Sequence, residues 1–239
     1  MPLSLKSRRS HAGRVGRLLA GTAIMATAMA GAAPAVAQSV EDRWQVKVMA
    51  TGVLPDGAIS SVATDRIGLP VGAQVEASDS YVPTVAIEYF LTPNISIETI
   101  CCVTPHDVEG TGPLAGTALI DDAIILPATV TAKYHLQLEG GLKPYIGAGI
   151  THFFIFSEDV GSGAARLGAT EVDLSDEFGF VLQTGFDLPL NDSGWGLTVD
   201  AKRYYVDTTA TFRAGSTIAL QSDHALDPWV VSAGVSYRF

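Results

Sequence analysis

Between residues 44 and 239 the chain alternates apolar and polar side chains in eight stretches, and the connections joining them alternate between long and short. The stretches are 44–53, 81–91, 95–103, 124–136, 144–156, 178–188, 195–206 and 229–239. In the first, Trp44, Val46, Val48 and Ala50 interleave with Gln45, Lys47, Met49 and Thr51, the period of two that sends successive side chains to opposite faces of a strand. The connections 54–80, 104–123, 157–177 and 207–228 are long, whereas 92–94, 137–143 and 189–194 are short and rich in turn formers such as Thr92-Pro93-Asn94 and Glu139-Gly140-Gly141. An antiparallel meander in this order collects every long loop at one end and every tight turn at the other. Stretches of about 9 to 13 residues also suit a tilted strand crossing a bilayer. The reading is an all-β fold, an eight-stranded antiparallel up-and-down transmembrane β-barrel with tight periplasmic turns and long external loops.

Charge placement tests that reading independently. With the charged residue of each strand turned to the lumen, the inward set includes Lys47, Glu88, Glu98, Lys133, His135, Asp187, Asp200, Lys202 and Arg238. The opposite parity then reads Val46/Val48, Val85/Ile87/Tyr89, Val130/Ala132/Tyr134, Phe178/Phe180/Leu182 and Val231/Ala233/Val235/Tyr237, a lipid-facing surface. Arg203 is the chief breach, and beside Tyr204 and Tyr205 it can snorkel to the interface. A soluble barrel of the lipocalin kind would show the reverse, apolar inside and polar outside.

The first 37 residues read as a cleaved export leader. Lys6, Arg8, Arg9, Arg14 and Arg17 precede an apolar run, and Ala35-Val36-Ala37 is a small-x-small cleavage site, which makes 38–239 the outer-membrane barrel. The whole chain holds 15 Lys+Arg against 25 Asp+Glu; because the leader carries five of the bases and none of the acids, residues 38–239 are left at −15. This excludes a nucleic-acid partner, which needs a basic surface. The four long connections hold −3, −4, −5 and −2, so nearly all the net charge lies in the external loops, among lipopolysaccharide and its bridging cations. In one of them, 171–177 (EVDLSDE) with Ser175 as a cap predicts a short helix. Cys101 and Cys102 are adjacent and have no other partner, so no disulfide framework is expected.

Five segments in order, Asn94-Ile95-Ser96-Ile97-Glu98, Leu126-Pro127-Ala128-Thr129, Pro144-Tyr145-Ile146-Gly147-Ala148-Gly149-Ile150, Val206-Asp207-Thr208-Thr209-Ala210 and Leu226-Asp227-Pro228-Trp229-Val230, followed by the terminal Ser236-Tyr237-Arg238-Phe239, resemble the outer-membrane protein W (OmpW) family over essentially the whole of 38–239. The resemblance implies an outer-membrane barrel linked to passive entry of small hydrophobic molecules, taken from outside and released sideways through a gap in the wall. It also implies a narrow lumen plugged by two bulky apolar residues. The matching positions are Ile100, which keeps that character, and Lys202, which does not. A lysine there, beside Asp200 and facing Glu98, predicts a charge-paired plug, because an unpaired ammonium in a low-dielectric lumen is costly.

Candidate sites follow. Ile100, Lys202, Glu98 and Asp200 form the plug or gate; Met49, Phe154, Phe156 and Tyr204, at the loop-side strand ends, line an apolar pocket; Phe239 closes a terminal strand of the kind that outer-membrane assembly machinery reads. An eight-stranded lumen is too narrow for a general aqueous pore. His224, Ser222 and Asp223 are consecutive in an extended segment and cannot all face one another, so no catalytic triad is expected, nor a metal site or cofactor. The expected function is a passive conduit, with outer-membrane lipid, lipopolysaccharide, the assembly machinery and small hydrophobic ligands as partners. The alternative is a sealed structural or surface-interaction barrel whose acidic loops meet external factors.

Overall fold

A computed structural model describes residues 42–239; the leader expected at 1–37 lies outside the described residues. In chain order the strands are β1 (Trp44–Leu54), β2 (Ala58–Asp65), β3 (Gln74–Ala77), β4 (Ser80–Phe90), β5 (Ile95–Cys101), β6 (Thr104–Thr111), β7 (Ala118–His135), β8 (Lys143–Phe156), β9 (Asp159–Val160), β10 (Glu171–Leu174), β11 (Glu177–Pro189), β12 (Trp195–Tyr205), β13 (Asp207–Ala214), β14 (Thr217–Ala225) and β15 (Trp229–Arg238). One short helix, α1 (Ser162–Arg166), lies between β9 and β10.

Eight of these strands, β1, β4, β5, β7, β8, β11, β12 and β15, hydrogen-bond in a closed antiparallel ring. Closure falls between the first and last, in register from Gln45↔Arg238 to Leu54↔Trp229. Beyond that register, Trp44 and Phe239 exchange backbone bonds of 2.9 and 2.8 Å, so the terminal residue completes the seam. Apart from a short lapse beside Pro127 the ring leaves no open edge, as a bilayer demands because lipid offers no partner to a bare N–H or C=O.

The expected strands are observed to within a few residues, save that β7 starts six residues early, at Ala118. The extra length is paired. β6 carries the lane of β5 onward against β7, and β3 pairs with β6. Much of the long connections is likewise sheet, since β10, β13, β14 and β2 form a separate four-stranded antiparallel sheet. The helix expected at 171–177 is therefore corrected. Residues 171–174 are β10, whose Val172 is buried beside Phe212 and Leu220, and Ser175 donates to Glu177 while accepting from the Thr209 amide. Alternating burial outweighed the capping signal.

The barrel exterior is apolar between two aromatic belts. At the tight-turn end Trp44 packs on Tyr89 and Trp195 on Tyr237, with centroids 4.8 and 5.0 Å apart. At the loop end Phe180 stacks on Tyr205 at 4.6 Å, near exposed Trp229 and Phe178. Arg203 sits in this second belt, paired with Asp56 at 3.0 Å and close to the Tyr205 and Trp229 rings. Aromatic girdles flanking an apolar band are the mark of a barrel set in lipid.

Candidate ligand site and lumen plug

Each barrel strand turns one side-chain row inward, and stacking those rows gives the lumen three levels. On β1 the inward order toward the loops is Lys47, Met49, Thr51, Val53; along β5 it is Glu98, Ile100 and then Cys102; on β12 it is Asp200, Lys202, Tyr204. Charge therefore sits low, with an apolar layer above it.

The lower level is a closed network of buried ions. Lys47 Nζ lies 2.8 Å from Glu88, 2.9 Å from Glu98 and 3.5 Å from Asp187. Lys133 bridges the same two glutamates at 3.1 and 2.9 Å and stands 3.7 Å over the Tyr145 ring. Lys202 reaches Asp200 at 2.5 Å and Glu98 at 3.3 Å, the charge-paired arrangement expected at that position. Neutral donors finish the shell: Gln183 Nε2 donates to Glu98 and Asp200, Tyr145 OH to Asp200, and Ser96 Oγ to Glu88, which also meets His135 Nε2 at 2.9 Å. Gly147 makes room for this, because a Cβ there would fall 3.0 Å from Lys133 Cγ and 3.3 Å from Gln183 Oε1. Three lysines and four carboxylates packed this way leave little freedom, and each ion is held only by its neighbours.

Met49 and Ile100 form the next layer with Ala86. Ile100 thus caps the ion network, while Met49 belongs to this layer rather than to the cavity above. The cavity, about 90 Å3, is bounded by Val53, Phe153, Ile155, Tyr204, Leu226 and Val230 on the barrel side and by Ala123, Ala210 and Phe212 toward the loops. Tyr204 lines it as expected. Phe154 and Phe156 do not: they are 41% and 43% exposed on the outer face, while Phe153 (4%) and Ile155 (8%) point inward. The correction has a plain cause. The one charge of β8, Lys143, stands at the tight-turn end with the parity of Tyr145, Phe153 and Ile155, and the expected strand began after it, at Pro144, where no further charge marks the lumen face. His152 is no guide, being stacked outside between Phe154 and Phe178 at 4.3 and 4.2 Å. Phe154 and Phe156 are members of the loop-end aromatic belt.

The hydrogen-bond ladder beside the cavity lapses. β5 pairs with β7 from Ile95↔Tyr134 to Ile100↔Thr129, and the same register resumes with β6 at Thr104↔Ile125. In between, residues 101–103 run past residues 126–128 without a ladder pair, Cys102 standing opposite Pro127, which has no N–H to give. Across the other side of that lane, the pairing of β4 with β5 ends at Val85↔Cys101. Cys102 and Pro127 both line the cavity. A second hollow, about 520 Å3 and polar, opens at the tight-turn end beneath the ion network, among Lys143, Asp187 and Arg238.

Two histidines absent from the expected sites also border the apolar cavity, His106 on β6 and His224 on β14. Burial lowers the pKa of both imidazoles, opposed for His106 by its bond to the Ser78 carbonyl and by Asp107 and Asp79, and for His224 by Asp223. His224 Nε2 does meet Ser222 Oγ at 2.8 Å, two residues away on one face, but Asp223 points to the other face and bonds Ser61 and Thr209. The three residues form no relay.

A closed eight-stranded barrel with a lipid-facing apolar band and a charged lumen is an outer-membrane β-barrel. The chain belongs to the OmpW family, whose profile matches residues 41–239. An uncharacterized outer-membrane protein, y4mB, of Sinorhizobium fredii is 32% identical over 198 residues, 82% of this chain and 80% of that protein. The dibenzothiophene metabolism operon protein PahQ of Pseudomonas aeruginosa is 28% identical over 200 residues, 83% of this chain and 90% of that one. Among solved structures, the crystal structure of the outer-membrane protein OprG from Pseudomonas aeruginosa superposes with a TM-score of 0.72 at 24% identity, covering 83% of this chain and 96% of OprG, a likeness of fold. The protein resides in the outer membrane.

Proposed function

We propose that the protein is a passive conduit carrying small hydrophobic molecules across the outer leaflet, from the loop side into the apolar cavity and out sideways into the membrane. The observation that carries this is the coincidence of the cavity with the lapse in the β5/β6–β7 ladder at Pro127, directly above a lumen closed by ions. An apolar solute moving straight down would have to separate buried ion pairs, each worth several kcal/mol once desolvated. Moving sideways, it meets apolar side chains and then lipid. The name of PahQ, a protein of an operon for metabolism of an apolar aromatic compound, is in keeping with such cargo. In this reading residues 1–37 are removed as the export leader, the acidic loops stand among lipopolysaccharide, and the strand ending at Phe239 is what the assembly machinery engages.

Uptake of a small apolar fluorescent reporter by cells that do or do not carry the protein tests the conduit. Expression should raise the rate of entry. Lys202→Ala should leave entry per folded molecule unchanged, because the exit lies above the plug. A rate equal to that of empty cells would leave the sealed surface-interaction barrel as the better account; a rise in Lys202→Ala would instead place the route through the lumen.

A further inference from the structure

Almost every polar group around the outer cavity is committed to the wall. Thr104 Oγ1 donates to the Ile125 carbonyl at 3.2 Å, Thr208 Oγ1 to the Ser175 carbonyl at 2.9 Å, and Tyr204 OH meets Thr129 Oγ1 at 3.4 Å. His106 differs. Its imidazole is 4% exposed, and its Nδ1 lies 2.7 Å from the Ser78 carbonyl oxygen. A carbonyl only accepts, so Nδ1 carries the proton and Nε2 of the neutral ring holds a bare lone pair. Burial favours that neutral state. Among the described residues no hydrogen bond satisfies His106 Nε2, on a ring that lines an otherwise apolar chamber.

We infer that His106 Nε2 is a specificity-determining acceptor, and that the cavity selects small neutral apolar molecules bearing one hydroxyl over hydrocarbons of the same shape. This inference rests on the conduit reading and names its cargo. Each alternative is disfavoured by the surroundings. An anion would meet no cation at this level and would have to pass loops that are strongly acidic. A cation would lose its hydration in an apolar chamber without a carboxylate among the lining residues. A pure hydrocarbon would fit but would displace water from this accessible nitrogen without replacing its hydrogen bond, whereas a hydroxyl supplies a donor to it. The volume of about 90 Å3 sets the size, since a dry cavity of ~150 Å3 holds benzene.

The test compares 1-butanol with n-butane in the refolded full-length mature barrel in micelles. Binding is followed by methyl shifts at Val53 and Val230, and the ring nitrogens of His106 are read by nitrogen-15 NMR. His106→Phe keeps a ring and removes the acceptor; His106→Gln restores an acceptor. Partition into detergent is the same for all three proteins and cancels in the comparison. The expected result is a butanol-to-butane affinity ratio about fivefold lower in His106→Phe than in wild type, about one ordinary hydrogen bond, with recovery in His106→Gln. In wild type, butanol but not butane should move the Nε2 resonance, a readout that stands even where a variant fails to fold. Equal ratios in wild type and His106→Phe, or an Nε2 resonance indifferent to butanol while Val53 and Val230 respond, would overturn the acceptor and spare the conduit. No response at Val53 or Val230 to either probe would remove both.

Discussion

At Lys202 one side chain closes two carboxylates, Asp200 at 2.5 Å and Glu98 at 3.3 Å, with 1% of its surface exposed. Glu98 keeps Lys47, Lys133 and Gln183 if Lys202 is removed, but Asp200 keeps only neutral donors from Tyr145 and Gln183. Lys202→Ala should therefore cost on the order of 3 to 5 kcal/mol in unfolding free energy, measured by urea titration of the micelle-bound barrel. Adding Asp200→Asn should recover a substantial part, because the stranded charge is then gone; purely additive costs would show that the two are not coupled. Residue-scale legibility was uneven for a physical reason. A charge in a membrane strand has only one tolerable direction, so Glu98, Asp200 and Lys202 could be placed inward from sequence alone. Phe154 and Phe156 are equally at home in lipid or lumen, and the only charge of β8, Lys143, lies at its far end, outside the stretch from Pro144 that the alternation marked. His106 was illegible because its role depends on the Ser78 carbonyl, which only the folded chain brings to it.

At the scale of elements, long apolar alternation and turn chemistry made the eight membrane strands readable. The loop strands were not, because β2, β10 and β14 alternate weakly and are held by their pairing in a sheet of loop strands, β10 on β13 and β2 on β14. That loop sheet encloses His106 and His224, which makes its stability dependent on pH. Burial lowers both histidines, so the unfolded rings take up a proton near pH ~6.5 while the folded ones stay neutral. The folded loop sheet is then fully favoured above that value and loses stability as pH falls through it toward the folded pKa. Protection factors of the β13 and β14 amides, with the intrinsic pH dependence of exchange divided out, should fall between pH 7.5 and 5, with those of β1 and β15 unchanged; equal protection at both pH values would contradict this. The seam predicts a second effect. Because Phe239 and Trp44 exchange two backbone bonds, deleting Phe239 should lower the yield of folded, heat-modifiable protein in the outer membrane, scored by gel shift. Orientation is checked by epitope tags: one in 157–176 or 208–227 should be reached by antibody on intact cells, and one at Gly140-Gly141 should not.

For the whole molecule, the ion network and the gap at Pro127 act together. On the proposed route the network closes the lower lumen to an apolar solute, and the lapse in the ladder just above it is the exit. Both flanking ladders share one register, in which Cys102 stands opposite Pro127, so a Pro127→Cys change in a Cys101→Ser background puts a second thiol facing Cys102 across the lapse, where a disulfide would hold the two strands together. The most direct measurement is reporter uptake by cells carrying this variant, oxidised and then reduced, beside a wild-type control treated in the same way. Oxidation should stop uptake and reduction restore it, with folded protein unchanged on a gel. Uptake that continues at the reduced rate with the gap stapled shut would contradict the sideways exit.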